Sequence, residues 1–307
     1  MKRVTVIGTG AVALYYGGRL AAAGHEVSFL GRSGLDELRR EGLRARSVAG
    51  DFFIAEPRVE SDPHRLGEQD AVLVAIKSTG NAILREWLPP LMGAQTVVVT
   101  LQNGLGNAEW LAQIVPAAAV MGALCFVCIN RLQPGEIDHS AGGKITLGDF
   151  LDSPPARREH WSAIFTAAGV PCEPVTQLEA AIWRKLVWNV PFNGLSITEG
   201  GKDTAQLLAC PRTLSRIETL MQEVCAISAA RGYPIEEAWI ENNIARTRPM
   251  NAYKPSSLID WQAGREVELQ SIWGEPVRHA RDCGVAVPQL TALWAELQRC
   301  CGREVSL

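Results

Sequence analysis

The stretch VTVIGTGAVA, residues 4–13, constrains the fold more than any other part of this chain. A run of strand-forming residues ends in Gly8 and Gly10, and a helical pattern, VALYYGGRLAAAG, begins at once and stops at Gly24. Strand, G-x-G-x-x-A turn and helix, in that order, describe the βα unit that cradles a dinucleotide. The first glycine permits the tight turn. The second lets the backbone approach a pyrophosphate. Ala13 takes the third small position, where helix and strand pack closely. The N–H groups of the first helical turn, at Ala11, Val12 and Ala13, then face the phosphates with the positive end of the helix dipole behind them.

The segments that follow extend this unit into a sheet. EVSFLG reads as a second strand and LDELRREG as a helix with its charges outward. DAVLVAIK and QTVVVTLQN are continuous apolar runs. Strands buried on both faces read this way, and they occur in parallel sheets. The alternation predicts a doubly wound α/β domain. From about Ala117, AAAVMGALCFVCINRL, KITLGDF and GVPCEPV read as further strands, with PGEIDHSAGGK as a loop. After Val175 the pattern is helical: QLEAAIWRKLVWNV, RTLSRIETLMQEVCAISAARG and REVELQSIWGEPVRHARDCG. The expectation is a Rossmann-type dinucleotide-binding domain over 1–175 and an all-α domain for substrate and dimerisation over 176–307. RTRPMNAYKPSSLIDW is the longest irregular piece of the second half, and so a candidate for function.

Bulk properties narrow the partners. A chain of 307 residues with a formal net charge of −3 lacks the basic face of a nucleic-acid binder. No apolar stretch is long enough to span a bilayer, and MKR followed by a strand is not a signal peptide. Of eight cysteines, Cys125 and Cys128 form a C-x-x-C inside the run AVMGALCFVCI, which reads as a buried strand because no second ligand pair stands at zinc spacing. All eight are expected to be reduced thiols in a cytoplasmic protein. The five histidines are scattered, with neither metal-ligand spacing nor a Ser-His-Asp context.

Other residues specify the chemistry further. The second strand ends in Gly31-Arg32-Ser33, where an NAD site carries an acid. A guanidinium there suits a 2′-phosphate, so the expected cofactor is NADP(H). Lys77 and Asn103 end apolar runs at the strand ends where ligands gather in such sheets. In IWRKLVWNVPFNGL, Lys185, Asn189 and Asn193 recur every four residues and share one helical face. Burying three polar groups demands partners, from a polar ligand or from an internal network. Pro191 predicts a bend or loosening near Val187. KPSSLIDWQAGREVELQSIWG reads as a charged helix carrying Ser256, with Glu268 between Val267 and Leu269.

With these residues in view, the chain resembles the ketopantoate reductase family (2-dehydropantoate 2-reductases) over nearly its whole length. The likeness rests on IGTGAVA, IKS with Lys77, LQNGLGN, WRKLVWNVPFN, and PSSLIDWQAGREVE leading to IWG. It implies a Rossmann domain and an all-α domain with the active site in the cleft between them. It implies Lys185 as general acid, with Glu268 beside it in catalysis, and Asn103, Asn189, Asn193 and Ser256 as substrate ligands. It places Arg32 at the 2′-phosphate, and Lys77, Asn103 and Glu268 near the cofactor as well. The implied reaction is NADPH-dependent reduction of a small 2-oxo acid, 2-dehydropantoate to pantoate, by a possible homodimer. A reductase of another 2-oxo acid or of an imine, and a non-catalytic NADPH-binding redox sensor, are the alternatives. Departures from the family pattern are Ala13 for glycine, Gly194 for proline, Ser257 for methionine and Val267 for threonine. All but Ala13 border the implied substrate pocket.

Overall fold

The computed structural model describes residues 1–302. The chain divides into two compact units, one formed by Met1–Asn103 with Asn107–Leu178, the other by Gly104–Gly106 with the chain from Glu179 onward.

The first unit is α/β. Its strands are β1 (Arg3–Ile7), β2 (Glu26–Leu30), β3 (Leu43–Ser47), β4 (Phe52–Ile54), β5 (Arg58–Glu60), β6 (Ala71–Val74), β7 (Val97–Thr100), β8 (Val120–Gln133), β9 (Glu136–Asp149) and β10 (Cys172–Val175). They join in one ten-stranded sheet in the order β4-β3-β9-β8-β7-β6-β1-β2-β5, with β10 also on β9. The run β5-β2-β1-β6-β7-β8 is parallel throughout. That is the doubly wound dinucleotide-binding order, and its direction of winding reverses between β1 and β6. Helices α1 (Ala11–Ala22), α2 (Leu35–Glu41), α3 (Leu84–Trp87), α4 (Asn107–Leu111) and α5 (Ala156–Ala167) accompany it. The continuous apolar runs have the predicted cause. In β6, Ala71 and Leu73 join a core with α1 and α5, while Val72 and Val74 join a second core with α3 and α4. Helix α1 lies close on the sheet because Gly17 and Gly18 leave room: a Cβ at Gly17 would lie 2.7 Å from Phe29, and one at Gly18 2.4 Å from Phe52.

PGEIDHSAGGK is not a loop; only Pro134 and Gly135 turn, and Glu136 already begins β9. Arg44–Ser47 pair with Glu136–His139 on one side of β9 while β8 pairs on the other, so the backbone of this polar segment is satisfied from both neighbours. Its loop-like glycines, Gly142 and Gly143, sit at φ +76° and +107° beside a register shift in the hairpin. Strands β3, β4 and β5 carry no strand signal in the sequence: β3 and β5 are interrupted by charged residues, and β4, though apolar, is only three residues long.

The second unit is all-α: α6 (Leu178–Thr198), α7 (Thr204–Ala209), α8 (Pro211–Ala230), α9 (Ala238–Thr247), α10 (Ser256–Gln262), α11 (Glu275–Asp282) and α12 (Pro288–Cys300). Its core is built on α6, where Trp183, Leu186, Val187, Val190, Phe192 and Leu195 are fully buried. Buried on nearly every side, α6 runs as one helix through Pro191, whose missing N–H leaves Val187 O without its bond from that position. The supposed irregular piece from Arg246 to Trp261 is mostly helical: it contains the end of α9, a 3-10 turn and most of α10. Conversely, residues 265–268 of the expected charged helix are not helical. No helix among the described residues is long and apolar enough to cross a membrane.

Candidate active site

In the α/β unit the glycine turn lies at the switch between β1 and β6. Gly8, at φ +127°, donates its N–H to Leu30 O at 2.8 Å. A Cβ there would press on the backbone of Ala75, 3.1 Å from its oxygen, so the turn is packed against the residues leading to Lys77. Gly10 is the N-cap of α1 and is different in kind. Its φ of −77° is ordinary, no side chain caps the helix, and a Cβ added there would meet nothing within 4 Å. No side chain caps the first-turn N–H groups of Ala11, Val12 and Ala13, while the Ala13 methyl is fully buried. Uncapped amides before an open cradle fit a diphosphate.

Arg32 is exposed on the bend after β2 and forms no ion pair among the described residues. Lys77 follows β6 as the N-cap of a 3-10 turn, Ser78–Ile83, and is half-buried. Gln102 braces this segment, donating to Ile76 O at 3.0 Å and to Asn81 Oδ1 at 2.6 Å. Asn107 donates to Asn103 O at 2.9 Å and so holds the backbone of the half-buried Asn103. Gln102 and Asn107 both stand in LQNGLGN, but no local pattern there shows these two roles. The polar residues flanking Asn103 were the available signal.

In the helical unit, Lys185, Asn189 and Asn193 lie along α6. Lys185 is half-buried. Asn189 is 8% exposed, yet its side chain forms no hydrogen bond among the described residues. Asn193 has a protein partner: its Oδ1 accepts the N–H of Ser257 at 3.0 Å. That bond seats the start of α10 on α6 and leaves Ser256 exposed at the helix N-terminus. Buried Glu268 precedes a π turn, Gln270–Gly274, which the sequence gave no sign of. Trp273 of that turn donates from Nε1 to Val190 O at 3.0 Å, fastening the Glu268 segment to α6. Gly104–Gly106 belong to this unit. Leu105 N–H bonds Ser271 O at 2.9 Å, its side chain joins the helical core, and a Cβ on Gly104 would lie 2.2 Å from that same oxygen.

Elsewhere, burial holds His25, His139 and His279 below the ordinary imidazole range. It pushes the Cys225 thiol up to about 11. All eight cysteines are free. No group of three or more His, Cys, Asp or Glu among the described residues is arranged to hold a metal ion.

A doubly wound α/β unit opening on an uncapped glycine turn, followed by an all-α unit, defines a Rossmann-type two-unit fold. Comparison with known proteins makes the assignment specific. The family model "Ketopantoate reductase PanE/ApbA" matches residues 4–152, and its C-terminal counterpart matches residues 177–300. A 2-dehydropantoate 2-reductase of Nostoc sp. is 35% identical over 98% of this chain and 96% of its own length. The crystal structure of the 2-dehydropantoate 2-reductase from Geobacter metallireducens superposes with a TM-score of 0.94 at 36% identity, covering 97% of this chain and 99% of that one. The enzyme of the same name from Methylococcus capsulatus gives 0.88 at 34% identity, with 96% of each chain covered. The chain belongs to the ketopantoate reductase family and is an oxidoreductase acting on a CH–OH group.

Proposed function

We propose that this protein uses NADPH to reduce 2-dehydropantoate to pantoate. The observation that carries the reading is the polar face of α6. An ammonium, Lys185, is followed one turn on by an amide, Asn189, whose residue is 8% exposed and whose side chain has no hydrogen bond among the described residues. Its polar atoms are not sealed from solvent, so they are open to a polar ligand.

Converting the C2 carbonyl to CH–OH takes up one hydride and one proton. Bound reduced nicotinamide supplies the hydride. Lys185 donates a hydrogen bond to the carbonyl oxygen, stabilises the charge that develops there and delivers the proton. Asn103, Asn189, Asn193 and Ser256 offer donors to the carboxylate and hydroxyl of the substrate and orient its carbonyl. Glu268 either accepts from the substrate hydroxyl or keeps Lys185 charged. In a Glu268→Gln variant the first role raises KM and the second lowers kcat. Gly8, Gly10 and the amides of Ala11, Val12 and Ala13 hold the diphosphate, Arg32 the ribose 2′-phosphate, and Lys77 stands at the strand end beside them. Eight free thiols suit a reducing compartment such as the cytoplasm.

The test is oxidation of NADPH and of NADH against 2-dehydropantoate and a panel of other 2-oxo acids and imines. Highest kcat/KM with 2-dehydropantoate and NADPH is expected. A higher value for another acceptor overturns the substrate, a preference for NADH overturns the cofactor, and NADPH binding without oxidation across the panel leaves a sensor. Lys185→Ala is expected to lower kcat by a factor on the order of 100 or more with NADPH binding unchanged; wild-type turnover in that variant removes Lys185 from the acid role.

A further inference from the structure

The β8–β9 hairpin reaches back over the loops at the nucleotide turn. Near its tip, Arg131 donates from Nη1 to the carbonyl oxygen of Thr9, the residue between Gly8 and Gly10, at 3.3 Å. Thr9 in turn donates from Oγ1 to Ser33 O at 3.2 Å. One residue past the hairpin's last paired position on β8, Pro134 abuts Gly34, where an added Cβ would lie 3.4 Å from the proline ring. Thr9, which Arg131 bonds, meets Ser33 and Pro134 meets Gly34, the two residues after Arg32, so the hairpin carries a second guanidinium toward the bend that bears the first.

Among the described residues neither Arg32 nor Arg131 forms an ion pair. The acids nearest in sequence are engaged elsewhere: Asp36 bonds Arg39, and Glu136 bonds Gln133 and Arg46. Arg131 is exposed and spends one of its five donors on Thr9. Two guanidinia without ion pairs among the described residues, with the Ser33 hydroxyl next to Arg32 in the chain, form a donor set for a phosphate monoester dianion.

We propose that Arg131 is a specificity-determining residue that joins Arg32 in binding the 2′-phosphate of the adenosine ribose. This rests on the NADP(H) reading above. It makes cofactor choice depend on the hairpin as well as on the βα unit. A single exposed cation on a bend gives weak discrimination, whereas two cations approaching from different strands fix the phosphate's position.

The experiment measures calorimetric affinities of adenosine 2′,5′-bisphosphate and of 5′-AMP, as probes with and without the 2′-phosphate, for wild type, Arg32→Ala, Arg131→Ala and Arg131→Gln. The glutamine variant can keep the bond to Thr9 O without the charge. Expected is a loss of about tenfold or more in bisphosphate affinity for each Arg131 variant, the scale of a charge-assisted phosphate contact, with 5′-AMP affinity unchanged and a shallower salt dependence. Three results overturn the proposal. Undiminished bisphosphate affinity in the Arg131 variants, with Arg32→Ala weakened, removes Arg131 from the site and leaves the cofactor reading intact. Equal weakening of both probes by Arg131→Ala, rescued by glutamine, makes the residue a tie for the hairpin. No preference of the wild type for the bisphosphate over 5′-AMP removes the NADP(H) reading and this inference with it.

Discussion

Gly104 and Gly200 share a φ of +85° in the same helical unit, but their surroundings differ. A Cβ on Gly200 would meet nothing within 4 Å, whereas one on Gly104 would lie 2.2 Å from Ser271 O and 2.4 Å from its carbonyl carbon. Alanine at either position bears the left-handed conformation, about 1–2 kcal/mol. At Gly104 the methyl must also push the Ser271 backbone away. That breaks the Leu105 N–H bond to Ser271 O, worth about 1 kcal/mol. It also dislodges Leu105, 2% exposed, from a core whose burial of a leucine is worth about 1.5–3 kcal/mol. Gly104→Ala is therefore expected to destabilise by about 3–6 kcal/mol and Gly200→Ala by about 1–2 kcal/mol. Urea unfolding read by tryptophan fluorescence measures both, with fully buried Trp273, two residues beyond Ser271, among the reporters. The comparison cancels the backbone cost. Unfolding free energies for the two variants that agree to within about 0.5 kcal/mol at a common m value would refute the close approach as the reason for glycine at 104.

Gly10→Ala separates folding from cofactor binding. With φ already negative and open space around the position, stability should stay level or rise by about 0.4–1 kcal/mol, while dinucleotide affinity, measured by calorimetry, falls at least tenfold because the methyl occupies the diphosphate's approach; undiminished affinity places the phosphates elsewhere. Burial lowers the pKa of His25, His139 and His279 in the folded state, so the unfolded chain binds more protons as pH drops below about 6.5. Their contribution is fully present above that pH and is lost progressively below it, so the urea midpoint should fall between pH 7.5 and 5.5, and fall less in His139→Gln; an identical slope in that variant excludes His139 as a contributor.

Much of the α/β unit was legible because its signals are local. Val4–Gly10 announces a strand and a turn by residue type, and β6 and β7 announce burial on both faces by being apolar throughout. The helical period of 178–198 put Lys185, Asn189 and Asn193 on one helix with equal directness. What escaped is what depends on distant pairing. β3 alternates leucine, arginine and alanine without a long apolar run, and it is a strand because β9 supplies hydrogen bonds from Glu136–His139. The same pairing turned a glycine- and serine-rich stretch that reads as a loop into the first half of β9. The charged segment at 265–268 failed in the other direction: helical composition was not enough where the chain instead enters the π turn whose Trp273 is held by α6.

The sequence by itself determined the βα nucleotide turn, the doubly wound plan and the one-sided placement of polar groups on α6. Each follows from steric limits on single residues and from a periodicity of two or 3.6. Only the tertiary structure decided that Asn193 meets Ser257, that Gly104 meets Ser271 and that Arg131 reaches Thr9. Those meetings join segments far apart in the chain. Their partners are selected by shape and by the need to satisfy buried hydrogen-bonding groups, and no local pattern encodes which distant residue will satisfy them.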